Sequence, residues 1–370
     1  MKASAVSRPV VVVEDDPFLR LFAVILDPDA PPAMVEGFAD FMAHDVPDFP
    51  RWCDDLRGRI GGVWPARVRL VETEEEFDAA LGDADVAVVE SWAFDAARLA
   101  RAPRLRAVQK YGAFPRNIDV AACGVRGVHV LTIRRRANLA CAEHAFGLML
   151  ALARKLTDYA NRLTPAQLAE KGHELRPFDR RHTPNGNWAR VPGLVSLHGS
   201  TLGIIGLGEI GREIAKRARA FDMDVVYHQR SRLAAADETA LGVNWLPLDA
   251  LMAASDWIIP QLPASPATRN LIDAERLATM KSGARIINVS RPDVLERAAI
   301  IEALRSGHLG GLGLDPPYAS PGLEGDELTS LPNVLITPHF AGSPRFNALD
   351  DFDEMLTRLH TTMTSREKPA

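Results

Sequence analysis

The stretch TLGIIGLGEIGREIAKRARAF constrains this chain more than any other, because it sets Gly206, Gly208 and Gly211 in GxGxxG spacing between an apolar run and a helical pattern. The run before the first glycine reads as a strand and the segment after the last as a helix. In that setting each glycine has its own task. Gly206 permits a tight turn, Gly208 lets backbone approach a pyrophosphate, and Gly211 allows the helix to pack closely on the strand. The helix begins at Glu209 and Ile210, and its N-terminus favours negative charge. The pattern points to dinucleotide binding within a βαβ unit; the alternative is a structural glycine turn.

The following strand, DVVYH, is where an acid about 20 residues on would hold the ribose hydroxyls of NAD. Gln229 stands there instead, followed by Arg230, Ser231 and Arg232, while Asp222 and Asp224 precede the strand at its wrong end. Without an acid, repulsion of a 2′-phosphate disappears, and two guanidiniums with a hydroxyl offer charge-assisted bonds to it. This favours NADP(H), with NAD(H) still possible; a solvated basic loop is the other reading.

Short β-rich runs alternate with helical patterns along the whole chain. Strands are expected at 9–14, 67–72, 85–90, 105–111 and 127–133, with EEEFDAAL and FDAARLA as helices between them. The Pro-, Asp- and Trp-rich segment 15–66 gives no clear pattern. CAEHAFGLMLALARKLTDYANRL, from Cys141, is apolar on most faces, as a buried helix would be. Pro165, Pro177, Pro184, Gly186 and Pro192 then interrupt 163–198, and so long a connection suggests a functional or subunit-binding arm.

A second series follows in TLGIIGLG, DVVYH, SDWIIPQLP, ARIINVS, GGLGLD and NVLITPHF, near-continuous apolar strands of the kind covered on both faces. ALDDFDEMLTRLHTTM reads as a terminal helix. The expected fold is α/β, with two Rossmann-like, doubly wound parallel-sheet domains. Residues 1–130, completed by a C-terminal helix in 345–370, form the substrate domain. Residues 131–344 form the nucleotide domain, with a dimerisation arm at about 140–198.

Composition narrows the function. The chain has 370 residues, 47% hydrophobic, and a formal charge of −5, so no basic surface dominates and neither a nucleic acid nor an anionic membrane is expected as partner. Arg134, Arg135 and Arg136 form the one basic cluster, too short to track phosphates. Three widely spaced cysteines without CxxC fit a reducing compartment, and the N-terminal apolar run is cut too soon by Glu14, Asp15 and Asp16 for a signal peptide. A cytoplasmic location is expected. Cys141 with His144 resembles half a metal site, but no HxxxH or second CxxC accompanies it, so no metal is expected.

GLGEIG, QLPASPATRNLI, MKSGARIINVSR, EALRSGHLGGLGLD and NVLITPHFAG occur in one order and spacing that resembles the D-isomer-specific 2-hydroxyacid dehydrogenases. That group includes glyoxylate/hydroxypyruvate reductase, phosphoglycerate dehydrogenase and, more distantly, formate dehydrogenase. The resemblance is strong over residues 100–345 and implies an interdomain cleft, a homodimer built on the nucleotide domain and a small carboxylate substrate. By position, Arg291 matches the arginine that binds the substrate's carboxylate and keto oxygen, and His339 the general acid/base. Asp315 matches the residue holding the nicotinamide amide, while Pro263, Thr268 and Val289 match positions around the cofactor.

Three departures fall among the substrate-side residues. Where the family has a glutamate that pairs with the histidine, this chain has Ser320; Glu324 lies four residues later. A serine can orient imidazole but cannot stabilise imidazolium as a carboxylate does. Pro292 replaces the glycine after the arginine. In the carboxylate-binding loop the second glycine of the pattern is Phe114, leaving Tyr111, Gly112, Ala113 and Phe114, with Lys110 and Arg135, as substrate-side candidates that could equally be structural.

The expected activity is hydride exchange between NADP(H) and a 2-keto acid/D-2-hydroxy acid pair, with Arg291, His339 and Ser320 at the reacting centre. Two rivals stay open: hydride transfer from an unusual donor without proton transfer, as in formate oxidation, and a silent dinucleotide-sensing protein.

Overall fold

Val10–Glu14 (β1), Arg67–Val71 (β2), Val86–Val89 (β3), Ala107–Lys110 (β4) and His129–Leu131 (β5) pair in parallel in the order β2-β1-β3-β4-β5. The computed structural model describes residues 8–172, 181, 182, 184 and 186–365. β1 is buried on both sides because its side chains alternate between two cores. Val11 and Val13 pack with Phe22, Leu56 and Phe352, and Val10 and Val12 with Phe77, Leu99 and Val108.

The segment 15–66 folds as three helices, Leu21–Leu26, Pro32–Met42 and Phe49–Arg57. The first is buried all round, so it carries no polar face to reveal its period. The second opens on proline at its first position, and the third is capped by Asp48, which accepts from the Arg51 amide at 3.3 Å. Thr73 caps Glu74–Ala80 in the same way, with three glutamates in the first turn where the dipole favours them.

The second sheet contains Thr201–Ile205 (β6), Asp224–His228 (β7), Asn244–Trp245 (β8), Trp257–Pro260 (β9), Ala284–Asn288 (β10), Leu309–Leu314 (β11) and Val334–Ile336 (β12). All pair in parallel, in the order β12-β11-β10-β9-β6-β7-β8. The order reverses between β6 and β9, the place where open α/β sheets bind ligands beyond the strands' carboxyl ends. β8 has two residues, too few for any periodic signal, and the sequence reading did not include it.

Two compact units result: residues up to Leu139 together with those from Gly342, and Ala140–Ala341. Patterning had placed the first break near 130. Helix Arg136–Arg154 explains the difference, since its first turn is tied to the C-terminal helix Phe346–Thr364 of the first unit. The longer helix expected through Leu163 stops at Arg154, where Lys155 adopts a left-handed conformation at φ 50°. Part of the expected arm, residues 173–180, 183 and 185, lies outside the described residues. Among the described residues no helix is long and apolar enough to cross a membrane.

The C-terminal helix buries Leu349, Phe352, Met355, Leu356 and Leu359 in the first unit's core, and the Arg106 guanidinium donates to the carbonyls of Met363 and Thr362 at 2.6 and 3.1 Å. Asp351, also buried, accepts from the Arg136 amide at 3.0 Å and its guanidinium at 2.7 Å. Burial pushes the Asp351 carboxyl up, against the pull of Arg136. Asp351→Ala leaves both donors unanswered and should cost about 2 kcal/mol, less than a fully buried pair because Arg136 keeps some water contact. A urea titration reads this as a lower midpoint at unchanged slope; an unmoved midpoint would contradict it.

Candidate functional site

The nucleotide loop is built by close backbone approach. Gly206 sits at φ 98° directly after β6, and a Cβ there would lie 2.4 Å from the carbonyl oxygen of Gln261, the residue after β9. A Cβ on Gly211 would lie 2.4 Å from the Gly206 carbonyl. Both positions therefore exclude side chains, and they lock the turn at the sheet's switch point. Gly208 differs: nothing lies within 4 Å of a Cβ built there, so space beside its backbone is open. It is the N-cap of helix Glu209–Ala220 and, as a glycine, brings no capping side chain of its own. Glu209 opens the first turn and Ile210 packs half-buried on the core. An open glycine at a helix start fits a pyrophosphate.

Beyond β7, the four residues expected near the adenosine ribose have different roles. The Gln229 amide donates to the Ser231 carbonyl at 2.6 Å, which tightens the turn. Arg232 forms two bonds to Glu238, at 2.9 and 2.8 Å, and the Tyr227 hydroxyl donates to the same carboxylate at 2.8 Å. Arg232 and Tyr227 together hold the Glu238 carboxyl below its ordinary range. Arg232 is thus committed within the protein, a pairing that sequence spacing did not suggest. Arg230 is exposed and has no ion-pair partner among the described residues. Around the loop after β9, the Thr268 hydroxyl donates to the Pro263 carbonyl at 2.7 Å and accepts from the Ser265 amide at 3.0 Å, so it shapes the turn; Val289 is buried in the core.

Arg291, Asp315 and His339 follow three adjacent parallel strands at their carboxyl ends. Arg291 lies three residues past β10, Asp315 directly past β11 and His339 three residues past β12. Strand spacing puts β10 and β12 about 10 Å apart. The Arg291 side chain is exposed and donates to the Ser290 carbonyl at 2.9 Å. Asn288 holds this loop by donating to the Arg291 carbonyl at 2.8 Å and accepting from the Ser290 amide at 2.9 Å and hydroxyl at 2.8 Å. Pro292 places Arg291 in extended backbone, φ −135°, and opens a short 3₁₀ turn.

Asp315 is 1% exposed and its carboxylate is heavily bonded. It accepts from the Thr337 hydroxyl at 2.6 Å and from the amides of Phe340 at 3.0 Å and Ala341 at 3.2 Å. These donors flank His339, whose backbone is left-handed at φ 62° and whose amide donates to the Thr337 carbonyl at 2.9 Å. His144 Nε2 lies 2.9 Å from the Thr337 hydroxyl oxygen. That hydroxyl spends its proton on Asp315, so His144 must be the donor and carry its proton on Nε2. Burial pushes the His144 ring down, with Asp315 pulling the other way. Thr337 and His144 were not among the residues expected at the site. The threonine two residues before the histidine was the available signal.

The His339 ring is exposed and has no hydrogen-bond or carboxylate partner among the described residues. Ser320 and Glu324 are likewise exposed and neither bonds to it.

In the first unit, the loop after β4 is more structural than expected. Tyr111 is 2% exposed and packs on Phe352, with the Arg135 guanidinium 4.1 Å from its ring centre. Burial pushes the Tyr111 hydroxyl up to about 12. Tyr111 and Arg135 thus form a core contact, a correction to their reading as substrate residues. Lys110 is also buried, its ammonium donating to the Glu90 carbonyl. The Gly112 carbonyl accepts from the Ile133 amide at 2.9 Å, while Ala113 and Phe114 are half-buried, leaving them the exposed part of the loop.

Residues 146–341 match the family model described as "D-isomer specific 2-hydroxyacid dehydrogenase, NAD binding domain". A glyoxylate reductase of Pyrococcus furiosus is 34% identical over 296 residues, covering 79% of this chain and 81% of the relative. A glyoxylate reductase of Thermococcus kodakarensis is 33% identical over 281 residues, 76% of this chain and 78% of the relative. Among solved structures, the holo D-mandelate dehydrogenase of Rhodotorula graminis superposes with a TM-score of 0.53 at 26% identity, covering 97% of this chain and 93% of its own. With the glycine loop at the switch point and an arginine and a histidine following β10 and β12 of the same sheet, the chain belongs to the D-isomer specific 2-hydroxyacid dehydrogenase family, as an NAD(P)-dependent oxidoreductase acting on CH–OH groups.

Proposed function

We propose that this protein is an NADP(H)-dependent reductase of 2-keto acids, equally a dehydrogenase of the matching D-2-hydroxy acids, working as a cytoplasmic homodimer. The observation that carries the reading is the carboxyl end of one parallel sheet, where Arg291 and His339 follow β10 and β12 and the open Gly208 backbone follows β6. The bound nicotinamide supplies or accepts the hydride. The loop Gly206–Gly211 holds its pyrophosphate, and Arg230 with Ser231 meets the 2′-phosphate. Arg291 binds carboxylate and keto oxygen through its planar fork. His339 protonates the keto oxygen as the carbon is reduced. The names of the Pyrococcus and Thermococcus relatives support keto-acid reduction as the direction to assay.

Oxidation of NADPH and NADH with a panel of 2-keto acids tests the assignment. Turnover is expected with NADPH preferred, and Arg230→Ala should weaken NADPH binding roughly tenfold while leaving NADH nearly unchanged, the loss of one charge-assisted phosphate contact. Equal losses for both nucleotides would remove Arg230 from the cofactor site.

Thr337 acts through its neighbours as a positioning residue. Thr337→Val keeps the shape but removes the hydroxyl between His144 and Asp315, so kcat should fall about tenfold or more while the dissociation constant for NADPH stays within about twofold; Thr337→Ser should restore kcat. Loss of nucleotide affinity at unchanged kcat would show instead that Asp315 serves the cofactor alone.

A further inference from the structure

At the amino ends of β10, β11 and β12, the opposite end of the sheet from Arg291 and His339, lies a cavity of about 250 Å³. Its lining belongs wholly to the second unit. Lys155 and Arg285 bring cations to it, Thr157 and Asn333 bring neutral polar side chains, and Asp158 brings a carboxylate. Lys171, which does not line the cavity, meets Asp158 at 3.5 Å. Neither Lys155 nor Arg285 has a carboxylate partner among the described residues, so the balance of charge around the space is positive.

Three observations point to an anion as occupant. First, Arg285 is half-buried, its guanidinium 5.1 Å from the centre of the buried Trp257 ring, and it donates to the Gly283 carbonyl at 3.3 Å. One long hydrogen bond leaves most of its five N–H donors unspent, and a charge withdrawn from water is costly until an anion answers it. Burial pushes this guanidinium down with no carboxylate drawing it back. Second, Lys155 holds a left-handed backbone just past the end of helix Arg136–Arg154, a place where glycine is usual and a side chain costs free energy. Third, the ladder between β10 and β11 skips Gly310: Ala284 pairs with Leu309 and Arg285 with Gly311. A Cβ on Gly310 would strike the Gly283 carbonyl, so this bulge at the cavity wall requires glycine. Arg285 also borders a neighbouring cavity of about 340 Å³, but the lysine there, Lys281, is already paired with Asp256 at 2.9 Å. Lys155 does not border that one, so the two unanswered cations share the first.

We propose that this cavity binds a small anion of the phosphate class, free or carried as a phosphate ester, at a site separate from the hydride-transfer centre. A fork and a point charge converging on one space suit several acceptor oxygens on a single centre. The inference does not depend on which substrate is reduced. Isothermal titration calorimetry of inorganic phosphate and of glycerol 3-phosphate, at fixed ionic strength, tests it on the full chain saturated with NADPH, so that the nucleotide loop is already filled. The unaltered protein is compared with Arg285→Gln, Lys155→Gly and Arg291→Gln. Phosphate affinity should fall about tenfold or more in each of the first two, the loss of one charge-assisted contact, and stay within about twofold in Arg291→Gln. Lys155→Gly suits the left-handed backbone and carries the test should Arg285→Gln fail to fold. Tighter binding of glycerol 3-phosphate assigns the site to an ester and equal binding to the free ion; either upholds the proposal. No binding of either compound overturns it, as does an affinity that survives Arg285→Gln or Lys155→Gly, or one lost only in Arg291→Gln.

Discussion

The site depends on one buried carboxylate. Asp315 draws the Thr337 hydroxyl and the amides of Phe340 and Ala341 onto itself, and His339 is held between those donors in a left-handed conformation that a non-glycine residue adopts only under constraint. Removing three donors from water and answering each with a charged acceptor makes the arrangement costly to disturb. His144 extends it by donating to Thr337, which joins the helix from Arg136 to the loop that presents the imidazole. Asp315 is matched by family position to the nicotinamide amide. Its bonds fix the backbone on either side of His339 and leave little acceptor capacity for anything else.

Charge at the other end of the second sheet is arranged on the opposite principle. Arg232 is paired with Glu238, and Arg230 is left exposed without such a partner. An exposed guanidinium costs little until a phosphate reaches it, whereas a paired one must first give up its carboxylate. The same economy of charge marks His339, whose ring has no carboxylate partner among the described residues.

Much of this was legible in the residues. Apolar runs bounded by turns revealed eight strands within two residues at each end and three more that overrun by three or four, and GxGxxG placed the switch point, because periodicity and glycine sterics are local. Helix Leu21–Leu26 was not legible, since a segment buried on every side has no polar face to mark its period. The two-residue β8 was too short to register. At the site, Arg291 and His339 were read from motifs, but the fate of Tyr111, Arg135 and Arg232 was not. Whether an aromatic ring faces a core or a ligand, and whether an arginine finds a glutamate six residues on, is decided by tertiary packing. Thr337 and His144 illustrate the same limit, being 193 residues apart in the chain and 2.9 Å apart in space.

The account stands or falls on His339 as the proton donor. Its ring can be followed by ¹⁵N NMR across pH, with His144 distinguished by a His144→Gln control, alongside the pH dependence of kcat/KM for keto-acid reduction. Coincidence of the rate's alkaline fall with deprotonation of the His339 ring is the predicted result. A rate that holds steady while that ring loses its proton would contradict it.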